Sequence, residues 1–156
     1  MQEPEFAKFY LFPAALYAER TPTLVTTVLG TCVAICLYDF RLKKGGINHY
    51  MLPLWNGDGL ASPKYGNISI ERLLDSMESM GCRRKNLIAK VFGGKSMTSD
   101  QPSILQIGER NAHVAQKMLT DFRIPIQATS LGGHHGRKIL FNTYTGQVMM
   151  KYTSKD

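Results

Sequence analysis

A thiol and an imidazole held together can do nucleophilic chemistry on a carbonyl, the imidazole taking the proton and the thiolate attacking. In this sequence Cys32 and His49 are placed to make such a pair. Cys32 follows a β-branched run, Leu24-Val25-Thr26-Thr27-Val28-Leu29, typical of a buried strand. Gly30 and Thr31 break that run, and Cys32 opens a second apolar one, Val33-Ala34-Ile35-Cys36-Leu37-Tyr38. The cysteine therefore sits where a strand ends and a tight turn begins. A polar connection over 39–44 leads to Gly45-Gly46 and to a third strand-like piece, Ile47-Asn48-His49-Tyr50-Met51-Leu52-Pro53. So short a connection predicts antiparallel pairing, which sets the start of one strand against the end of the other and brings residue 32 near residue 49. Backbone N–H groups at the Gly30-Thr31-Cys32 turn could then hold an oxyanion. A buried small hydrophobe and a hydrogen-bonded strand histidine would fit the same spacing, which alone leaves both readings open.

The elements that must position this pair belong to a chain of 156 residues, a usual size for one domain with a proper core. Residues 1–9 are expected to be a loose start. Apolar residues make up 44%, yet no run approaches a membrane-spanning length, and the N-terminus lacks the basic start and apolar stretch of a signal peptide. Three cysteines without a pairing pattern point to a reducing compartment, so a cytoplasmic protein is expected. The net charge of +7 and a pI near 9.4 favour acidic partners. The basic residues are scattered (Arg41, Lys43, Lys44; Arg83-Arg84-Lys85; Arg137-Lys138) with no interleaved aromatic platform, which argues against nucleic acid.

Around the pair, 10–19 reads as an edge strand interrupted by Pro13. The Gly-, Asn- and Pro-rich stretch 55–65 reads as a long surface loop after the His49 strand. Asn67 is the expected N-cap of a helix over 68–80, whose Ile70, Leu73, Leu74, Met77 and Met80 form a core stripe, with Gly81 ending it. Residues 86–92 read as a strand entering Gly93-Gly94, where close backbone approach is possible. Gly93-Gly94-Lys95-Ser96 lacks the long loop of a phosphate-binding motif. Residues 97–105 are polar and turn-rich, a second helix runs from about 107 to 122, and a strand covers 124–131. A closing hairpin over 138–142 and 146–152 turns at Thr145-Gly146. The adjacent His134-His135 suggests a metal, but too few ligands stand with them in sequence, so neither a metal nor a cofactor is expected.

LGTCVAICLYD followed by GGINHYMLP closely resembles the signature of the chemoreceptor glutamine deamidase family, CheD. Further matches follow in order: Lys64-Tyr65-Gly66, Ala89-Lys90-Val91-Phe92-Gly93-Gly94, Ile107-Gly108-Glu109-Arg110-Asn111, Leu131-Gly132-Gly133 and Asn142-Thr143-Tyr144-Thr145-Gly146. The resemblance implies a Cys-dependent amidohydrolase converting receptor glutamines to glutamate, with a catalytic set of Cys32, His49 and Thr26. On a strand Thr26 and the neighbouring Thr27 face opposite ways, so only one can reach His49. It further implies an α/β fold: a layered α-β-β sandwich of mostly antiparallel or mixed sheets with two main helices. Gly30 and Thr31 would form the oxyanion turn, Gly93 and Gly94 would line its pocket, and Asn111 and Arg110 would brace nearby loops. Tyr65, His135 and Arg137 are candidates for substrate contact. The implied partners are chemoreceptor cytoplasmic helices and a CheC-type phosphatase, with the protein acting as a monomer and without membrane insertion. A non-catalytic adaptor for that phosphatase, a methylesterase and a transglutaminase are the rival functions.

Overall fold

The computed structural model describes residues 4–96 and 106–153. Among these residues, nine strands and two α-helices follow in the order β1 (Ala7–Tyr10), β2 (Ala15–Ala18), β3 (Thr23–Leu29), β4 (Val33–Asp39), β5 (Lys44–His49), α1 (Gly66–Ser79), β6 (Leu87–Gly93), α2 (Ile107–Asp121), β7 (Ile126–Leu131), β8 (Arg137–Asn142) and β9 (Val148–Tyr152). They form a four-stranded sheet, β1-β3-β8-β9, and a five-stranded sheet, β2-β5-β4-β6-β7. Both are mixed: β1 runs parallel to β3 and β6 parallel to β7, and the other pairs are antiparallel. The parallel β6–β7 pair needs a crossover, and α2 supplies it.

Layering follows from the burial patterns. β4 is buried at nearly every position because it is covered on both faces. Its Val33, Ile35 and Leu37 meet Ile70, Leu73, Leu74, Met77, Ala115 and Leu119 of the helices. Its Ala34 and Cys36 turn the other way and meet Val25, Leu29, Ile139 and Phe141 of the four-stranded sheet. The result is the α-β-β sandwich that the family resemblance implies. Each large aliphatic side chain enclosed in these two layers contributes about 1.5–3 kcal/mol of transfer free energy. β3, by contrast, alternates strictly, with Thr23, Val25, Thr27 and Leu29 buried and Val28 exposed. Only one of its faces is covered.

Two local expectations change. The stretch over 10–19 holds only the last residue of β1 and all of β2, edge strands of different sheets, and Ala14 at φ 68° lies in the turn between them. Helix α1 begins earlier than its Asn67 cap would allow. Tyr65 takes the N-cap position, and the Asn67 Oδ1 instead accepts from the Trp55 N–H at 2.9 Å, tying down the loop over 55–65. The turn-rich stretch over 97–105 lies outside the described residues.

Candidate active site

Strand register brings Cys32 and His49 to neighbouring positions. β4 and β5 pair Cys36 with Ile47, and an antiparallel bridge joins Val33 to Tyr50 in the same register. His49 therefore stands opposite Ala34, with Cys32 two residues along on the same face. Diagonal neighbours of this kind have Cβ atoms about 7 Å apart, a gap that an imidazole can span. That face looks into the space between the sheets. Ala34, Cys36 and Ile47 belong to the inter-sheet core and Cys32 packs against it, while Tyr50 on the opposite face joins the helix-side core. Cys32 is half-buried at the mouth of this space, whereas Cys36 and Cys82 are buried. It is thus the one thiol of the three open to a large substrate.

The hydrogen bonds assign the state of the imidazole. His49 Nδ1 lies 2.7 Å from Thr27 Oγ1, which also lies 2.7 Å from the Leu11 carbonyl oxygen. A carbonyl can only accept, so the single hydroxyl proton of Thr27 goes to Leu11. Thr27 Oγ1 must then accept the proton of His49 Nδ1. Nε2 is left as the basic nitrogen. Burial depresses the His49 pKa from 6.5 to about 4, and burial raises that of the Cys32 thiol, against the opposing pull of its own backbone N–H. At neutral pH the pair rests as thiol and neutral imidazole.

The threonine that reaches His49 is Thr27, whereas the resemblance implies Thr26. Thr26 faces the outer side of the four-stranded sheet, in an open groove of about 520 Å³ with Lys8, Tyr10, Leu24, Lys138 and Leu140. Alternation along β3 sends Thr27 inward to His49 and Thr26 outward. The Leu11 carbonyl behind Thr27 had no signal in the sequence.

Glycines set the turn from behind. Gly94 N–H donates to the Cys32 carbonyl at 2.9 Å, and Lys95 N–H to the Gly30 carbonyl at 3.0 Å. A Cβ on Gly93, at φ 112°, would collide with the Cys32 carbonyl. One on Gly108 would collide with Lys95 and Gly94. Gly93 and Gly94 are therefore buried, packed between the cysteine turn and the start of α2. Gly30 and Thr31 form the turn itself, half-exposed.

The remaining candidates lie further out. Arg137 is 2% exposed, and its guanidinium donates to Ser130 Oγ at 3.0 Å and to the Gly132 and His135 carbonyls at 2.8 and 3.4 Å. Three of its five N–H donors are thus used within its own loop, which Arg137 braces. His135 is exposed with its ring 5.8 Å from that of Tyr152, and His134 is exposed beside it. The loop they share is joined to the Gly93-Gly94 stretch by Gly132 N–H to the Gly93 carbonyl and Ser96 N–H to the Gly133 carbonyl. Tyr65 bridges Leu52 just beyond the His49 strand. Among the described residues no three His, Cys, Asp or Glu side chains gather as a metal site. None of the described helices is long and apolar enough to cross a membrane.

The site thus holds a half-buried thiol at one strand end and, on the same face of the next strand, an imidazole whose Nδ1 is held from behind by Thr27. A family model described as CheD chemotactic sensory transduction matches residues 51–152, and the chain belongs to that family. The chain is 51% identical over 143 residues to a protein of Trichlorobacter lovleyi named a probable chemoreceptor glutamine deamidase CheD, covering 92% of this chain and 89% of the relative. A protein of the same name from Sulfurimonas denitrificans is 47% identical over 152 residues, covering 97% of each chain. Another from Rhodospirillum rubrum is 38% identical over 144 residues, covering 92% of this chain and 81% of the relative. The family model begins after His49, while these relatives span both Cys32 and His49.

Proposed function

We propose that this protein deamidates glutamine side chains of bacterial chemoreceptors (methyl-accepting chemotaxis proteins), with Cys32 as nucleophile, His49 as base and acid, and Thr27 as the group that orients His49. The names of the relatives support the substrate. The Leu11–Thr27–His49 chain of hydrogen bonds, ending on the face that carries Cys32, is the observation that carries the chemistry.

His49 Nε2 takes the Sγ proton as sulfur bonds to the glutamine Cδ, and the carbonyl π electrons move onto oxygen. Because the resting pair is neutral, proton transfer and attack occur together. The Cys32 N–H holds the oxyanion. Collapse breaks the C–N bond, and the imidazolium returns its proton to the leaving nitrogen, which departs as ammonia. Water, deprotonated by His49, then attacks the thioester, and the thiol leaves with the proton back on sulfur. The product is glutamate. Thr27 is a neutral acceptor and stabilises the imidazolium less than a carboxylate would, which predicts modest turnover. A CheC-type phosphatase as partner and a monomer as the acting form go with this reading.

The test is peptide mass spectrometry of a receptor cytoplasmic fragment after incubation with the protein. Deamidation adds about one dalton at each glutamine converted. Loss of a methyl ester would indicate the esterase instead. No change with a protein that binds the phosphatase would indicate an adaptor.

The two neighbouring threonines separate the geometry from the family's expectation. Thr27→Val is expected to lower kcat by about 10- to 100-fold, because Nδ1 loses its acceptor and the wrong tautomer becomes accessible. It also strands the Leu11 carbonyl, at about 1–3 kcal/mol of stability. Thr26→Val, on the solvent face, is expected to leave kcat within about twofold, as surface changes away from a site usually do. The reverse ranking in steady-state kinetics would return the role to Thr26.

A further inference from the structure

Asn111 reaches the reactive turn from the other end of the chain. It lies in the second turn of α2, fully buried. Its Nδ2 donates to the Thr31 carbonyl and to the Met51 carbonyl, both at 3.0 Å. Both partners are acceptors, so the orientation of the amide is settled by its surroundings. One carbonyl belongs to the peptide that enters Cys32. The other lies just past His49. The backbone of the same residue is held as well, since Tyr50 Oη donates to the Asn111 carbonyl. One side chain therefore ties together the two strand ends that carry the nucleophile and the base.

The bond to Thr31 has a further consequence. Across a trans peptide the C=O of one residue and the N–H of the next point in opposite directions. Holding the Thr31 oxygen toward α2 thus turns the Cys32 N–H away from α2. That N–H donates to no carbonyl of the described residues, and it lies against the Cys32 sulfur. An N–H beside the attacking sulfur is where the substrate oxygen gathers charge.

We infer that Asn111 is a positioning residue for acyl transfer: its carboxamide, by gripping the Thr31 carbonyl, aims the Cys32 backbone N–H at the developing oxyanion. The inference rests on the deamidase reading above. It assigns to Asn111 an effect on the step that builds negative charge on oxygen, and little effect on the nucleophilicity of sulfur. The second-strand grip on Met51 keeps His49 in register, but that register is already set by the Val33–Tyr50 bridge.

Two reactions of the same thiol tell these effects apart. Deamidation passes through an oxyanion. Alkylation by iodoacetamide displaces iodide at carbon and builds none. In Asn111→Ala, kcat for the receptor fragment is expected to fall about 10- to 100-fold, with KM within about twofold and the alkylation rate of Cys32 within about threefold of the unmutated protein. Asn111→Asp keeps the shape and supplies a second reading. Its carboxyl can donate to Thr31 when protonated and repels that carbonyl when ionised. Its kcat is therefore expected to fall as pH rises through the titration of the new carboxyl, while the pH profile of alkylation stays that of the unmutated protein. Parallel falls in kcat and alkylation would reduce Asn111 to a support for Cys32 itself, and unchanged kcat would remove any role. If neither variant folds, the residue is a structural strut and the inference fails. Inactivity of the unmutated protein toward the receptor, with Cys32 still alkylated, would instead overturn the parent reading.

Discussion

Replacing Cys32 by alanine is expected to remove receptor deamidation, by at least about 10⁴-fold in kcat, and to leave the protein folded. No other group at the site can form the acyl intermediate, and losing the nucleophile of a covalent mechanism leaves only the residual effect of binding and oxyanion contacts. The structural cost is small because Cys32 is half-buried at the mouth of the inter-sheet space and makes no bond that the fold depends on. Cys36→Ala serves as the opposite control. Its side chain is 2% exposed and packs in the inter-sheet core, and burial lifts its thiol far above the ordinary range. That variant is expected to lose about 1–2 kcal/mol of stability and to keep its activity. Mass spectrometry of the receptor fragment and denaturant melts of both variants check the pair of outcomes. Full activity in Cys32→Ala would end the thiol mechanism.

The second large effect is that of His49. His49→Asn should lower kcat by about 10³-fold or more, since neither the thiol nor the leaving ammonia would have a proton partner. Asparagine can still present an amide N–H to Thr27, so the inter-sheet hydrogen bond is largely kept. The same substitution should change how stability depends on pH. In the folded protein His49 titrates at about 4, and in the unfolded chain at 6.5. Between those values the unfolded state binds the extra proton, so stability rises with pH across this window and is lost as pH falls from 6.5 toward 4. The full difference is about 3 kcal/mol. Above pH 7 both states are neutral, the slope vanishes and the stability is at its full value. Urea unfolding at pH 4.5, 5.5 and 7 should therefore show a slope in the unmutated protein that His49→Asn flattens. Identical slopes in the two proteins would mean that His49 is not buried in its neutral form.

The pairing of Cys32 with His49 was legible because it is local. Two strands joined by a short polar connection must run antiparallel, and the residues at their open ends must meet. The α-β-β layering was expected from the family resemblance, and the apolar patterns of its elements agree with it. The near-continuous apolar runs of β4 and β6 mark strands covered on both sides, and the Ile70-Leu73-Leu74-Met77 stripe marks the helix that covers one of them. The N-cap of α1 was not legible. Asn67 has the composition of a cap, but the loop over 55–65 competes for its side chain through Trp55. Nor was the bracing of Arg137 legible, because composition does not show that Ser130, Gly132 and His135 each take one of its donors.

By itself the sequence determined which residues could do chemistry, that one thiol and one imidazole lie at adjoining strand ends, and that two helices and several strands surround them. Tertiary structure decided the rest of the site. Thr26 and Thr27 are equally good strand residues, and alternation guarantees only that they face opposite ways. Which of them faces His49 depends on which side of β3 is packed against the five-stranded sheet, and that is set by Val25, Leu29, Ile139 and Phe141 meeting Ala34, Cys36 and Ile47. Leu11 and Asn111 join the site from segments distant in the chain, the first through the N-terminal edge of one sheet and the second through α2. No local periodicity encodes such contacts, because they come into being only when both faces of the five-stranded sheet are covered at once.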